Sequence, residues 1–381
     1  MDYVGSEGAG LEVGTDTAAP VMHVITNFAA SGGAETMLAR LLAATSEPAI
    51  VVPLIGVSER NLSLAGRPDV EYHPLNARGA VHMPGAIMKL TGLMREKRPR
   101  AVLCWMYHAM VVGTLSARLA GAPPVFWTVR QALDDPRSLT RSTRLAVAGA
   151  RMLSSRAAGI VYNSARAREQ HEQYGYAARF GKVIPNGVVV PEQADPTPRK
   201  ARVFGIAARF HPQKDHLNFF RAAAQIAAQF PDARFVAAGF GLDDRNSEVL
   251  AMIEDAGLDP ARLELLGELR DMGDFYSQID VLVLSSRTEG FPNVVAEAMS
   301  HARPVVTTNV GDAALVVADT GKVVSPGDPD ALCDAMAEFA RMPPEQVADL
   351  GKRARQRIVA NYQVKHILGE YQEVLSQRGP A

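Results

Sequence analysis

SSRTEGFPNVVAEAMS, residues 285–300, is the stretch on which the fold of this 381-residue chain turns. The run that leads into it, VLVLSS (281–286), is apolar up to its serines, the pattern of a strand buried on both faces of a parallel sheet. Pro292 needs no backbone donor and suits the first turn of a helix. The stretch therefore reads as strand, loop and helix, with Glu289 in the loop and Glu297 inside the helix. The segment Gly290, Phe291, Pro292 and Asn293 brings the free amides of the loop and helix start, all but that of the proline, into a positive concavity suited to phosphate. The two carboxylates flank it and are placed to accept sugar hydroxyls.

Two further segments repeat the pattern. AARFHPQKDH (207–216) follows the strand VFGIAA and opens the helix LNFFRAAAQIAAQF, placing Arg209 and Lys214 at a strand's carboxyl end. Open α/β sheets bind ligands there, and a planar guanidinium with a mobile ammonium neutralises a diphosphate. Near the start, VMHVITNF (21–28) runs into AASGGAETMLARLL, where Gly32 and Gly33 permit close backbone approach. This is not the dinucleotide fingerprint, which needs three glycines at G-x-G-x-x-G and a later acidic residue.

Glu289, seven residues and Glu297, with GFPNVVA between, resemble the signature of the retaining family 4 glycosyltransferases, whose architecture is the GT-B fold. The resemblance implies that Glu289 lies against the donor hexose and Glu297 accepts hydrogen bonds from the nucleotide ribose. It implies that Arg209 and Lys214 stabilise the departing nucleoside diphosphate, and that amides near Gly33 face that diphosphate from the opposite domain. The family's histidine after a first-domain strand has its matching place here at Arg130, in FWTVRQAL, while His108 lies earlier, in LCWMYHAM. Both are candidates for donor or acceptor contact, and His108 also reads as a cap for a helix beginning near Met110.

Strands and helices alternate throughout, which predicts two Rossmann-like, doubly wound parallel-sheet domains facing across a cleft. Strands are expected near 21–28, 49–54, 101–106, 124–129, 159–162 and 181–184, then 203–208, 235–239, 263–267, 281–285, 304–308 and 322–324. The expected organisation is a disordered leader (1–19), an acceptor-side domain (20–190) and a Pro-rich linker (191–200). A second domain (201–360) and a last helix within 361–381 complete it; the resemblance implies that this domain binds the nucleotide sugar and that the helix crosses back to the first.

The 47% hydrophobic content is ample for two cores. Cys104 and Cys333 form no metal-ligand spacing and no disulfide framework, which favours a reducing cytoplasm. Formal net charge is −1, but residues 78–182 carry 17 Lys and Arg against 5 Asp and Glu. There Arg137, Arg141, Arg144, Arg151 and Arg156 alternate with Leu139, Leu145, Val147, Met152 and Leu153, a pattern that suits either an anionic membrane surface or a solvated helix face. No nucleic-acid recognition motif accompanies the patch. Asp328 and Asp330 form a D-P-D that fits a helix cap instead of a metal site.

With these features, the resemblance implies a retaining, metal-independent hexosyltransferase without a cofactor, with a UDP-sugar favoured as donor and a glycan or lipid-linked acceptor of surface polysaccharide biosynthesis. A nucleotide-sugar epimerase on the same fold, or a nucleotide-sugar-binding protein, fits the same residues.

Overall fold

The computed structural model describes residues 19–30, 32–121, 123–133, 139–178, 181–194, 197–269 and 271–376. The leader up to residue 18, Arg137 and the last five residues lie outside them. The first half contains β1 (Val21–Ile25), α1 (Gly33–Ala44), β2 (Ala49–Pro53), α2 (Glu59–Ala65), β3 (Glu71–Tyr72), α3 (Met83–Lys97), β4 (Ala101–Trp105), α4 (Met106–Ala120), β5 (Val125–Val129), α5 (Arg141–Leu153), β6 (Gly159–Tyr162), α6 (Ala165–Tyr174) and β7 (Gly181–Val183). Its strands form one 7-stranded sheet in the order β3-β2-β1-β4-β5-β6-β7.

The second half contains β8 (Val203–Ala207), α7 (His216–Gln229), β9 (Arg234–Ala238), α8 (Ser247–Asp255), β10 (Leu263–Gly267), α9 (Gly273–Gln278), β11 (Val281–Leu284), α10 (Asn293–Ser300), β12 (Val305–Thr308), α11 (Ala313–Val317), β13 (Lys322–Val324), α12 (Pro329–Arg341), α13 (Pro344–Asn361) and α14 (Val364–Ser376). Its 6-stranded sheet runs β10-β9-β8-β11-β12-β13. All named strand pairings are parallel.

The physical cause is helical cover on both faces. Central strands such as Val21–Ile25, Ala101–Trp105 and Val281–Leu284 are buried along their whole length, so they must be apolar throughout instead of alternating. Strand order reverses between β1 and β4 and again between β8 and β11. Such switch points open a crevice at the strands' carboxyl ends. The short edge strand Glu71–Tyr72 was not anticipated, because two half-exposed residues carry no periodic signal.

The last helix returns to the first half. Val364, Ile367, Tyr371 and Val374 of α14 pack in one core with Ile25, Leu38, Trp105 and Phe126. Tyr371 stacks on Trp105 with ring centroids 6.2 Å apart.

Candidate active site

Both switch points empty into one cavity of about 490 Å³ between the two sheets. Gly32 and Gly33 reach it from the β1–α1 loop, Met106 from the end of β4, Arg130 from the end of β5, Arg209 and Lys214 from beyond β8, and Glu289 through Asn293 from beyond β11. All of these but Met106 are residues the sequence singled out. Glu297 and His108 do not line the cavity.

The second-domain wall is held by hydrogen bonds between its two loops. Ser285 Oγ donates to the Lys214 carbonyl at 2.9 Å, and the Arg287 amide donates to the Gln213 carbonyl at 2.8 Å. This brings Lys214 Nζ to 2.6 Å from Glu289 Oε1, which also accepts from Ser286 Oγ at 2.8 Å. Both partners are largely buried, so the pair is less screened than one on the surface. Arg209 is exposed at the cavity mouth, and no ion pair among the described residues engages it.

Close backbone approach sets these loops. At Gly311, where φ is +51°, a Cβ would meet the carbonyls of Glu289 and Gly290. At Gly239, where φ is +146°, one would meet the Ala208 carbonyl just behind Arg209. A side chain at either position would be strained in its backbone and would displace a site loop.

Helix α10 begins one residue later than anticipated. Pro292 is its N-cap with ψ at 88°, and Asn293 is the first helical residue. The Phe291 ring turns inward, its centroid 5.7 Å from that of Tyr362.

Glu297 sits on the second turn of α10 and is already engaged. Its Oε1 accepts from Arg40 Nη2 of α1 at 2.6 Å, and its Oε2 accepts from the Tyr276 hydroxyl at 2.9 Å. Burial pushes the Tyr276 phenol well above its ordinary range, with Glu297 adding to the rise. Glu35, another residue missed in sequence, lines the cavity and folds back over Gly32 from the first turn of α1. Burial raises its pKa.

Arg130 is buried, with 8% of its surface exposed. Its Nη1 donates to the Tyr371 hydroxyl at 2.8 Å and to Thr128 Oγ1 at 3.3 Å, its Nη2 donates to Asn186 Oδ1, and the group lies 5.7 Å from the Trp105 ring centre. No carboxylate among the described residues pairs with it. Burial lowers its pKa.

His108 requires a correction. It lies inside α4, which starts at Met106 and not near Met110, so it is no cap. Its Nε2 is 2.9 Å from Ser142 Oγ of α5.

Asp328 is the N-cap of α12, its carboxylate accepting from the Ala331 amide at 2.9 Å, while Asp330 accepts from Gln225. In α5, Leu145 and Met152 are 74% and 81% exposed beside Arg141, Arg144 and Arg151. Val147 instead enters the core and Leu139 lines the cavity, so the anticipated apolar face is narrower. No described helix is long and apolar enough to cross a membrane.

Two parallel α/β halves enclosing a cleft with paired cations and carboxylates define the class. Residues 31–191 match the family described as Glycosyltransferase Family 4, and residues 201–341 match Glycosyl transferases group 1. The chain belongs to the family 4 glycosyltransferases.

Among solved structures, Anabaena HepE in complex with UDP superposes with a TM-score of 0.79 at 21% identity, covering 94% of this chain and 99% of that one. The likeness shows the GT-B fold. An Escherichia coli UDP-Gal:alpha-D-GlcNAc-diphosphoundecaprenol alpha-1,3-galactosyltransferase is 26% identical over 300 residues, 73% of this chain and 76% of that protein. The Salmonella typhi Vi polysaccharide biosynthesis protein VipC/TviE is 29% identical over 241 residues, 58% of this chain but only 40% of that protein's length.

Proposed function

We propose that this chain transfers a hexose, with retention of anomeric configuration, from a nucleoside diphosphate sugar to a glycan or lipid-linked acceptor of surface polysaccharide or lipopolysaccharide. The observation that carries the reading is the Lys214–Glu289 pair, 2.6 Å apart, beside Arg209 in the wall of one interdomain cavity. A UDP-sugar is favoured as donor, in keeping with the UDP held by the Anabaena protein and the donor named for the Escherichia coli relative.

In this reading the donor diphosphate sits at the α10 N-terminus, where free amides and the helix dipole favour an anion. Arg209 and Lys214 meet the negative charge that grows as the diphosphate departs. Glu289, held by Lys214 and Ser286, positions the hexose. The acceptor attacks on the face from which the diphosphate leaves, and the departing phosphate takes the acceptor's proton. Glu297 receives the ribose hydroxyls: each carboxylate oxygen has two lone pairs, so Arg40 and Tyr276 leave acceptor capacity.

The acceptor is reached by docking α5 on an anionic leaflet. Leu145 and Met152 are seven residues apart and share a helix face with Arg141 and Arg144, the arrangement that inserts apolar side chains while cations meet headgroups.

The test is purified protein with UDP-, GDP- and ADP-sugars, with and without lipid-linked acceptors, followed by mass spectrometry. Diphosphate release that requires an acceptor is the expected result. A new sugar isomer formed without acceptor would replace the transferase with an epimerase, and binding without turnover would leave only a sensor. A covalent glycosyl adduct at Glu289 would overturn its positioning role.

A further inference from the structure

Arg130 begins a chain of side chains that ends in the cavity. Its guanidinium carries only donors, and Nη2 meets Asn186 at the oxygen Oδ1. Because the arginine has no acceptor to offer, the Asn186 amide cannot face it the other way round. Asn186 Nδ2 must then point outward, and it donates to Asn293 Oδ1 at 2.6 Å. That second bond fixes the next amide in turn. The Asn293 oxygen faces Asn186, and its Nδ2 is left beside Gly33, 3.2 Å from where a Cβ on that glycine would stand.

All four residues line the cavity, and the Asn293 Nδ2 has no protein acceptor among the described residues. Asn293 opens α10, so its side-chain N–H groups lie alongside the helix's unpaired amides. Gly33 leaves the space in front of them free. The Arg130 charge, unmatched by any carboxylate among the described residues, adds a positive potential behind the same spot.

From this geometry we infer that the Asn293 side chain donates a hydrogen bond to a phosphate of the bound nucleoside diphosphate, and that Arg130 and Asn186 are positioning residues that hold its N–H groups toward the ligand. The inference rests on the nucleotide-sugar reading above but adds a specific phosphate donor and the two residues that orient it. Three side chains, from the residue after β5, the segment after β7 and α10, thereby act as one unit across the domain boundary.

The test is calorimetric binding of UDP, GDP and ADP to the full chain, followed by the matching nucleoside without phosphate. Wild type is expected to bind at least one diphosphate, and a chain that binds none overturns both this inference and the function on which it rests. Asn293→Ala and Arg130→Gln are each expected to weaken the diphosphate by about 10- to 100-fold, the range of a hydrogen bond to a charged group, while the nucleoside changes by less than about twofold.

Arg130→Lys, which still offers only donors, is expected to recover most of the loss, whereas glutamine lets the amides turn either way. The Arg130→Gln and Asn293→Ala effects are expected to add only in part, because both remove the same bond and the glutamine removes the charge besides. Unchanged diphosphate affinity in Asn293→Ala, equal losses for nucleoside and diphosphate, or fully additive effects would each overturn the inference while leaving nucleotide binding established. If Arg130→Gln fails to fold, as judged by its melting curve, the Asn293→Ala and Asn186→Ala comparison decides: Asn186→Ala takes away the contact that turns the Asn293 amide without adding a charge, so it too must weaken the diphosphate selectively.

Discussion

Arg40 of α1 and Glu297 of α10 join the two halves of the molecule, with Nη2 2.6 Å from Oε1 and a second Arg40 nitrogen bonded to the Gly187 carbonyl. Both side chains are largely buried, at 13% and 16% exposure. Removing one partner strands the other's charge in a poorly solvated place, which costs more than the pair contributes. Arg40→Ala and Glu297→Ala are each expected to lower the melting temperature, and the double variant to lower it by less than their sum. A coupling of about 1 kcal/mol or more in a double-mutant cycle is the expected reading. Glu297→Ala is also expected to weaken nucleoside diphosphate binding; unchanged affinity would remove the ribose role.

Arg209 and Lys214 are expected to act on rate. Interactions that strengthen as the diphosphate leaves lower the barrier more than they tighten the ground state. Arg209→Ala and Lys214→Ala should each reduce kcat by about 10²- to 10³-fold with a smaller change in donor affinity. Steady-state kinetics with a direct binding measurement separates the two. Activity is expected to survive excess EDTA, since protein cations and amides face the diphosphate; loss restored by magnesium or manganese would refute that.

Asp312 supplies a pH dependence. Its carboxylate is buried, accepts from the Ala165 amide at the start of α6 across the cleft, and has its pKa raised to about 6 by burial. A folded pKa above the unfolded one means that the folded state binds the proton more tightly. The resulting stabilisation is complete below about pH 4 and is lost as pH rises through 6. Asp312→Asn keeps an oxygen acceptor without the buried charge. It is expected to melt about 2–4 °C higher than wild type at pH 7.5 and to converge on it near pH 4. Melting curves at several pH values read the difference directly, and a constant offset across that range would exclude the titration.

The α5 face is expected to bind anionic liposomes at low salt and release them at high salt. Each basic residue at such a surface contributes about 1 kcal/mol, so changing Arg141, Arg144 and Arg151 to Ser should shift most of the protein to the supernatant in co-sedimentation. Equal recovery of wild type and variant would end the docking proposal without touching the transferase chemistry.

Some of this was written locally and some was not. The central strands of both sheets were legible because a strand covered by helices on both faces must be apolar at every position, a signal contained in five or so consecutive residues. Glu289, Lys214 and Arg209 were legible because each stands just past such a run, where a parallel sheet gathers its loops. His108 misled because a turn was placed four residues late: α4 starts at Met106 with φ at +68°, directly on the end of β4, and no capping residue marks it.

Arg40, Tyr276, Asn186 and Asp312 carry no local signature, and their roles come from partners far away in the chain. Arg40 meets a carboxylate 257 residues on, and Arg130 meets a hydroxyl 241 residues on. The sequence by itself determined the two sheets and the residue types at their carboxyl ends, since hydrophobic periodicity and loop composition act over a few residues. Only the tertiary structure decided which charge faces which, which amide points its hydrogens into the cleft, and that Tyr371 of the returning α14 braces Arg130, because these depend on how the two sheets are set against each other.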